Sequence, residues 1–266
     1  MEEPPVIALH PLTSAVVKLE LMFNDLIVAV GSGFVWDDGN SLSLVTAWHN
    51  LTGTNPFTNQ SISPTGVRPD SINCIFLSPI PNFPYSVNFP LYEPDGSSIW
   101  RIHNKYGPSV DIATFPIKPS NLELTICQAI NKLSQSNLPI RPGAAVFAIG
   151  YPKGLSIAGT AIWKNATIAS EPQLTIITEN PGYILIDTAT REGMSGCPVV
   201  VYRDRGYEKS SADLMLDGVE IRFLGLYTGR LASADILEAQ LGMVWPLNLV
   251  QEVVEAGVRD QFTLLG

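Results

Sequence analysis

Charge, and basic charge in particular, is scarce in this sequence. Only 15% of the 266 residues are charged, and 16 Lys and Arg stand against 25 Asp and Glu, which gives a net charge of -9. Because a field of that sign repels phosphate backbones, nucleic acid is not expected as a partner. No apolar run approaches the ~18 residues that a membrane span needs, so no membrane partner is expected either.

Cysteine and histidine are scarce as well. Cys74, Cys127 and Cys197 are odd in number and widely spaced, which does not fit a disulfide framework. Since no close Cys/His pairs occur, we predict no metal site, and nothing in the sequence points to a cofactor. The first residues are acidic and lack the apolar core of a signal peptide. Together with the unpaired cysteines, this favours a cytoplasmic location.

Apolar residues, in contrast, are abundant at 45%, and 21 Gly and 21 Pro are spread along the chain. Short runs rich in Val, Ile, Thr and aromatic residues are separated by Gly, Pro, Asn or Asp, a pattern typical of strands joined by turns. Such runs occur at 14–21, 26–36, 41–48, 110–117, 144–152, 160–169, 174–179, 183–189, 197–203, 222–230 and 241–247. Their number and spacing predict an all-β sandwich or barrel arrangement.

Two stretches have the apolar spacing of helices instead. The pattern is imperfect over 121–133 and clearer over 248–262. The stretch 53–107 is rich in Pro, Asn and Ser, and we expect long loops there that decorate a small sheet. The chain is therefore expected to contain a β unit, a linker with helical turns, a second β unit and a terminal helix.

Three local stretches place chemically capable side chains at the ends of predicted strands. In SLVTAWHN, His49 lies where the chain leaves a strand-like run. In SVDIATF, Asp111 begins a strongly apolar strand, where a carboxylate without a partner would be costly. In GMSGCP, Gly193 and Gly196 flank a tight turn that can expose Ser195 and aim backbone N–H groups at one point. We expect the three stretches to converge on one site.

These residue types suit nucleophilic catalysis. A serine hydroxyl is a weak nucleophile at neutral pH and needs an adjacent base, which a histidine provides because it titrates near neutrality. A buried carboxylate on the other ring nitrogen fixes the tautomer, and backbone donors beside the serine bind the oxyanion of a tetrahedral intermediate. The order His, Asp, Ser along the chain is one in which this arrangement occurs.

Other interpretations of the same residues stay open at this point. Ser195 is also readable as a turn serine, His49 as a structural histidine and Asp111 as a surface carboxylate at a strand edge. Asp187 in YILIDTA is a competing acid, although a role in supporting the nucleophile loop fits it better. Cys197 is a competing nucleophile, but no glycine follows it, so we predict a small buried apolar role for it.

In this order the motifs resemble those of the trypsin-like (chymotrypsin-fold) serine peptidases. GSGFVW with LVTAWHN resembles the strand, turn and TA-x-H signature of that family, VDIATF its D-I-A strand, and EGMSGCPVV its G-x-S-G-G-P nucleophile loop. AVFAIGYPKG resembles the opening strand of the second barrel in the bacterial, non-zymogen members, and GLYTGR the late strand that lines the substrate cleft. The matches run over residues 14 to about 247.

The resemblance implies an all-β fold of two six-stranded antiparallel β-barrels with a C-terminal helix. It also implies where the units begin and end. The expected division is an N-terminal barrel over 1–120, a linker over 121–142, a second barrel over 143–247 and a terminal helix over 248–266.

By the same resemblance, His49 is the base, Asp111 the orienting acid and Ser195 the nucleophile. The N–H groups of Gly193 and Ser195 would form the oxyanion hole. The implied function is that of a serine endopeptidase, which hydrolyses peptide bonds of proteins through an acyl-enzyme. The expected partner is a protein or peptide substrate, and a regulatory protein partner stays open.

The resemblance also places the residues that bind the substrate. They are Ala189, Thr190, Tyr227, Thr228, Gly229 and Arg230. Because Ala189 stands where members that cleave after basic residues have a carboxylate, a preference for Arg or Lys is not expected. Thr190 and Tyr227 offer hydroxyls to a polar side chain, and Arg230 or Arg191 could attract an acidic one. The resulting hypothesis is a small, apolar or polar uncharged residue before the scissile bond.

Two departures from the family pattern keep other functions open. Met194 stands where digestive members have an Asp that pairs with a newly cut N-terminus, so zymogen activation by that route is not expected. Cys197 replaces the second Gly of the nucleophile loop. The alternatives are a catalytically silent or partner-activated binding module on the same fold, and a self-processing protease released from a longer precursor.

Overall fold

Short strands dominate the computed structural model of the protein, which describes residues 9–80, 83–176, 181–204, 219–230 and 240–263. The strands, numbered in chain order, are β1 Val16–Phe23, β2 Leu26–Asp37, β3 Leu42–Thr46, β4 Ser71–Phe76, β5 Tyr85–Pro90, β6 Arg101–Ile102, β7 Ala113–Ile117, β8 Ala145–Gly150, β9 Ile162–Ile168, β10 Ile184–Asp187, β11 Pro198–Asp204, β12 Val219–Arg230, β13 Leu241–Pro246 and β14 Val258–Arg259. The helices are α1 Pro11–Ser14, α2 Trp48–Thr52 and α3 Leu247–Ala256. No helix among the described residues is long and apolar enough to cross a membrane.

The first half of the chain forms one antiparallel sheet in the order β14-β6-β7-β3-β2-β1-β4-β5. Alternate side chains point inward, as in β4, where Ile72, Cys74 and Phe76 are buried. They pack with Leu19 of β1 and Leu44 of β3 in a core that belongs to this half. The sheet is curled, and within the described residues no pairing of β5 with β14 closes it.

The second half forms a closed barrel in the order β10-β13-β12-β11-β8-β9. Its interior is a separate apolar core that includes Val146, Val199 and Val244. The predicted all-β fold with a C-terminal helix is therefore confirmed. The difference is that the first unit is an eight-stranded curled sheet, whereas the second is the expected six-stranded barrel.

A third apolar core joins the two halves. Phe34 of β2 packs edge-on against Phe223 of β12 at 5.3 Å between ring centroids. Helix α3 adds Leu249, Val250 and Val253 from its apolar face to the same core. Each fully buried side chain of this size contributes about 1.5–3 kcal/mol. After α3, β14 pairs with β6, so the end of the chain returns to the first sheet.

Two helical predictions need correction. The stretch 121–133 is not a helix; 3-10 turns lie at Pro119–Asn121 and Ile130–Lys132 instead. Leu124, which the pattern places on the apolar face, is 62% exposed, so there is no continuous face to bury. The predicted helix over 248–262 ends at Ala256, because Gly257 follows in an extended conformation and β14 begins at Val258.

The stretch 53–107 also differs from its prediction. It contains β4 and β5, which pair over their whole length, and the short β6. The strand expected over 174–179 begins in a 3-10 turn, Pro172–Ile176, and its remaining residues lie outside the described part of the chain. The predicted division at residues 120, 142 and 247 stays a prediction.

Candidate active site

His49 and Asp111 meet at the end of the first sheet. His49 lies in α2, which follows β3 directly and ends because Gly53 adopts a left-handed conformation. Asp111 lies two residues before β7 and is 1% exposed. Its Oδ2 is 2.6 Å from Nδ1 of His49, and its Oδ1 accepts the backbone N–H of His49 at 2.9 Å. These contacts stabilise a carboxylate that burial alone would penalise.

Thr228 connects this pair to the second barrel. Its hydroxyl donates to Oδ2 of Asp111, and its carbonyl oxygen accepts the hydroxyl of Ser195 at 3.0 Å. Within the described residues, no hydrogen bond joins Ser195 Oγ to the ring of His49. Both side chains nevertheless line the same cavity. Hydrogen bonds of this kind are often long without substrate and tighten when it binds.

The loop before β11 requires glycine at two positions. Gly193 has a φ of 89° and Gly196 a φ of 87°, values that L side chains rarely adopt. A Cβ atom at Gly193 would lie 2.3 Å from the carbonyl oxygen of Tyr151, and one at Gly196 would lie 2.1 Å from that of Ser32. The loop therefore lies flat against both halves of the molecule, with Ser195 between the two glycines.

The carbonyl groups of this loop are held so that its N–H groups stay available. The carbonyl oxygen of Glu192 accepts the N–H of Lys153 at 2.6 Å, and that of Gly193 accepts the hydroxyl of Ser32 at 2.7 Å. Among the described residues, the N–H groups of Gly193 and Ser195 donate to no acceptor. Two adjacent unengaged donors beside a serine hydroxyl are what the oxyanion of a tetrahedral intermediate needs.

Polar side chains of the first half hold the nucleophile loop from the other side. The N–H of Ser32 and the amide nitrogen of Asn50 each donate to the carbonyl oxygen of Ser195 at 2.9 Å. Asn50 also donates to the hydroxyl of Thr46, which itself donates to the carbonyl of Ser32. We did not predict this network from the sequence. The available signal was a polar residue, Ser32, inside the apolar run LIVAVGSGFVW.

The predicted first-subsite residues lie at the end of β12 and just before the nucleophile loop, and the carbonyl of Thr228 contacts the hydroxyl of Ser195. The hydroxyls of Thr190 and Tyr227 form a hydrogen bond with each other, and both residues are buried. Burial raises the pKa of Tyr227 to about 12. No substrate side chain fits between two groups in direct contact. Ala189, which precedes Thr190, and Arg230, at the end of β12, are exposed. Their roles in substrate binding stay predictions.

A cavity of about 610 Å³, hereafter the site cavity, opens beside the nucleophile. His49, Ser195 and Gly193 line it together with residues of β1, β2 and the segment 53–69. The site cavity is therefore continuous with the candidate catalytic groups. Among the described residues, no group of three or more His, Cys, Asp or Glu side chains is placed to hold a metal ion.

The competing candidates lie elsewhere. Cys197 is fully buried in the barrel core beside Met194, and burial raises the pKa of its thiol well above the ordinary value, so it is a poor nucleophile. Asp187 is exposed on β10, and no hydrogen bond from its side chain to the nucleophile loop is present among the described residues. The expectation that Asp187 supports that loop is therefore wrong.

Comparison with known families settles what kind of domain this is. The model of the trypsin-like peptidase domain matches residues 31–205, well over half of the chain. The chain belongs to the trypsin-like peptidase family. The matched segment contains His49, Asp111 and Ser195, whereas Thr228 lies beyond it.

Two solved protease structures have the same overall architecture as this chain. The serine endoprotease from Yersinia pestis is similar with a TM-score of 0.52 at 17% identity, over 91% of this chain and 62% of that protein. The Rv3671c protease from M. tuberculosis in its active form gives a TM-score of 0.50 at 18% identity, over 100% and 96% of the two chains. At these identities the likeness establishes the fold alone. The chain thus spans 62% of the length of the Yersinia protein. A comparison with curated protein sequences gave no match.

Proposed function

We propose that the chain is a serine endopeptidase that hydrolyses peptide bonds in protein or peptide substrates. The observation that carries the proposal is the 2.6 Å contact between His49 Nδ1 and buried Asp111, with Ser195 and His49 lining one cavity. Membership of the trypsin-like peptidase family and the unengaged N–H groups of Gly193 and Ser195 support it.

The proposed reaction has two stages. Ser195 Oγ attacks the carbonyl carbon while its proton passes to Nε2 of His49, and Asp111 holds the Nδ1–H of the ring. The N–H groups of Gly193 and Ser195 stabilise the oxyanion. The C–N bond then breaks as His49 returns the proton to the leaving amine, which leaves an acyl ester on Ser195. Water then loses a proton to His49 and attacks the acyl carbon, and the ester C–O bond breaks as His49 returns the proton to Ser195 Oγ, which releases the carboxylic acid product.

For the residue before the scissile bond we propose a small uncharged side chain. The mutual hydrogen bond of Thr190 and Tyr227 leaves no room between them, and both are buried. Ala189 contributes no charge. A substrate with a large basic residue at this position is therefore a poor fit to the described part of the wall.

The second candidate is a catalytically silent or partner-activated binding module. One observation favours it: Ser195 Oγ donates to the carbonyl of Thr228 at 3.0 Å, whereas proton transfer needs it to donate to His49. In that case a partner or substrate has to turn the serine toward the histidine before any reaction occurs.

Labelling with a fluorophosphonate separates the two candidates. The reagent phosphonylates a serine only where base and oxyanion hole act together, and peptide mapping identifies the modified residue. We expect labelling of the purified chain at Ser195, its loss in Ser195→Ala, and unchanged labelling in Ser134→Ala, which removes an exposed hydroxyl outside the site cavity. A folded protein that does not label would reject the endopeptidase proposal in favour of the binding module.

A further inference from the structure

The site cavity is lined mainly by residues of the first half of the molecule. None of the six predicted first-subsite residues lines it; its walls come from the first sheet, the segment 53–69 and the turn at Glu192–Gly193. Since Ser195 receives the scissile carbonyl, a substrate whose preceding residue lies against Thr190 and Tyr227 has to continue past His49 into this cavity. The site cavity is thus placed to receive the part of the peptide that follows the scissile bond.

The walls of the site cavity are mainly apolar. Leu21, Val28, Val30, Ile62 and Val67 are among the residues that line it. Its volume of about 610 Å³ exceeds that of one side chain and falls in the range of known ligand pockets, about 300–1,000 Å³. The charged residues that line it, Lys153 and Glu192, carry opposite signs, so they give no preference for one charge.

Two of these aliphatic side chains are left largely uncovered. Val28 is 41% exposed and Ile62 is 53% exposed. Leu26 and Ile27, which precede Val28 in β2, are exposed as well. Scattered exposed apolar residues need no explanation, but exposed apolar residues that line a cavity, as Val28 and Ile62 do, mark a surface that another apolar group covers.

The first part of β2 also offers unpaired main-chain groups. On one side β2 pairs with β1 from Leu26 to Phe34, and on the other it pairs with β3 only from Gly33 to Asp37. Within the described residues, the second edge of Leu26–Gly31 has no strand beside it. An extended peptide can add to such an edge by main-chain hydrogen bonds while its side chains enter adjacent pockets.

We propose that the site cavity binds one or two large apolar side chains directly after the scissile bond, and that this side of the site sets the substrate preference. The occupant is the leaving segment of the substrate, because the same cavity contains His49, Ser195 and Gly193. The substrate class is that of extended peptides with Leu, Phe or a similar residue in this segment. The proposal deepens the proposed function and rests on it.

Hydrolysis of matched peptides tests this preference. The peptides share one sequence and differ only in the two residues after the cleaved bond, which are Leu or Phe in one set and Ser or Asp in the other. We expect kcat/KM to be about tenfold or more higher for the first set, as differences of a few methylene groups in an apolar pocket produce. A methyl ester, whose leaving group is too small to fill the cavity, reports the rest of the site.

Variants of exposed residues that line the site cavity test whether the preference arises there. We expect Val28→Ser and Ile62→Ser to reduce the preference to about threefold or less, through a lower kcat/KM for the Leu and Phe peptides. Ile80→Ser is the matched control, because Ile80 is 62% exposed and does not line the site cavity. Equal rates for both peptide sets, or equal effects of Ile62→Ser and Ile80→Ser, would overturn the inference.

A binding measurement on Ser195→Ala keeps this inference separate from the proposed function. Peptides that begin with Leu-Phe or with Ser-Asp, and so correspond to the released product, are titrated into the variant by calorimetry. We expect about tenfold tighter binding of the apolar peptide. If the wild-type protein neither labels nor hydrolyses the ester, the endopeptidase proposal fails, and this titration alone decides the inference. Equal affinities would then reject it.

Discussion

The two halves of the molecule supply different parts of the candidate site. The curled sheet places His49 and Asp111, which contact each other at 2.6 Å. The closed barrel supplies Ser195 from a loop whose neighbours Met194 and Cys197 are buried in the barrel core. The acid–base pair and the nucleophile are therefore built on separate cores, and hydrogen bonds from Ser32 and Asn50 to the nucleophile loop link the two.

Because the acid–base pair and the nucleophile lie on different halves, the site depends on how the two halves are aligned. An apolar core shared by both lies at the junction, but apolar packing is non-directional and tolerates small shifts. The directional contacts at the site are hydrogen bonds, among them those from Thr228 to Asp111, from Ser32 to the carbonyl of Gly193, and from Asn50 to that of Ser195. Substitution of single residues in each half should show how far peptide hydrolysis depends on these hydrogen bonds.

The largest effect is expected when the acid of the sheet half is changed. Asp111→Asn keeps the shape of the side chain but replaces one acceptor oxygen by an NH2 group, which favours the wrong tautomer of His49. We expect kcat for peptide hydrolysis to fall by about 10⁴-fold. Steady-state hydrolysis and the rate of fluorophosphonate labelling measure the loss.

Asp187→Asn is the matched control from the barrel half. Asp187 is an exposed carboxylate on β10, so its amide variant should keep the wild-type rate. A comparable loss in both variants would mean that general charge, and not the contact with His49, accounts for the effect. Urea denaturation of each variant checks that the fold is intact.

The all-β fold and the main residues of the candidate site could be predicted from the sequence. The strand runs predicted the all-β fold because period-two apolar patterns are local, and the stretch before β11 was singled out by two glycines. Gly193 and Gly196 have positive φ values, which is why no other residue suits these positions. His49 and Asp111 were found because each stands at the end of an apolar run, where a polar side chain needs a partner.

The contacts between the halves were not accessible in the same way. Thr228 is 117 residues from Asp111, and nothing in GLYTGR indicates which carboxylate its hydroxyl reaches. The sequence assigned Thr228 only to the substrate wall. Likewise, 121–133 has nearly the apolar spacing of a helix, but whether such a face is buried depends on tertiary packing, and Leu124 is exposed.

A second, smaller effect is expected on stability, because a residue near the end of the chain forms hydrogen bonds within the sheet half. Asp260 follows β14 and accepts the indole N–H groups of Trp48 at 2.7 Å and Trp100 at 2.8 Å. Asp260→Ala leaves both buried donors without this acceptor. We expect the free energy of unfolding to fall by about 3 kcal/mol, roughly a hundredfold in the folding equilibrium. Urea denaturation followed by tryptophan fluorescence measures it.

The control for Asp260 is Glu255→Ala, which removes an exposed carboxylate near the end of α3. Its free energy of unfolding should stay within about 0.5 kcal/mol of the wild-type value. Asp260→Ala should therefore unfold at a lower urea concentration than Glu255→Ala. Unchanged stability would show that the two indole bonds contribute nothing to holding the sheet.

The smallest effect is expected for the bond that crosses between the halves. Thr228→Val keeps the shape of the side chain and removes the hydroxyl that donates to Asp111, while His49 still contacts that carboxylate. We expect kcat to fall about tenfold with KM little changed, since the hydroxyl orients the acid without touching the substrate. Thr228→Ser retains the donor and should restore most of the rate. If KM rises in Thr228→Val while kcat stays, Thr228 acts as a substrate wall, as the sequence predicted. If only the free energy of unfolding falls, the crossing bond is structural, and each half aligns its own groups without it.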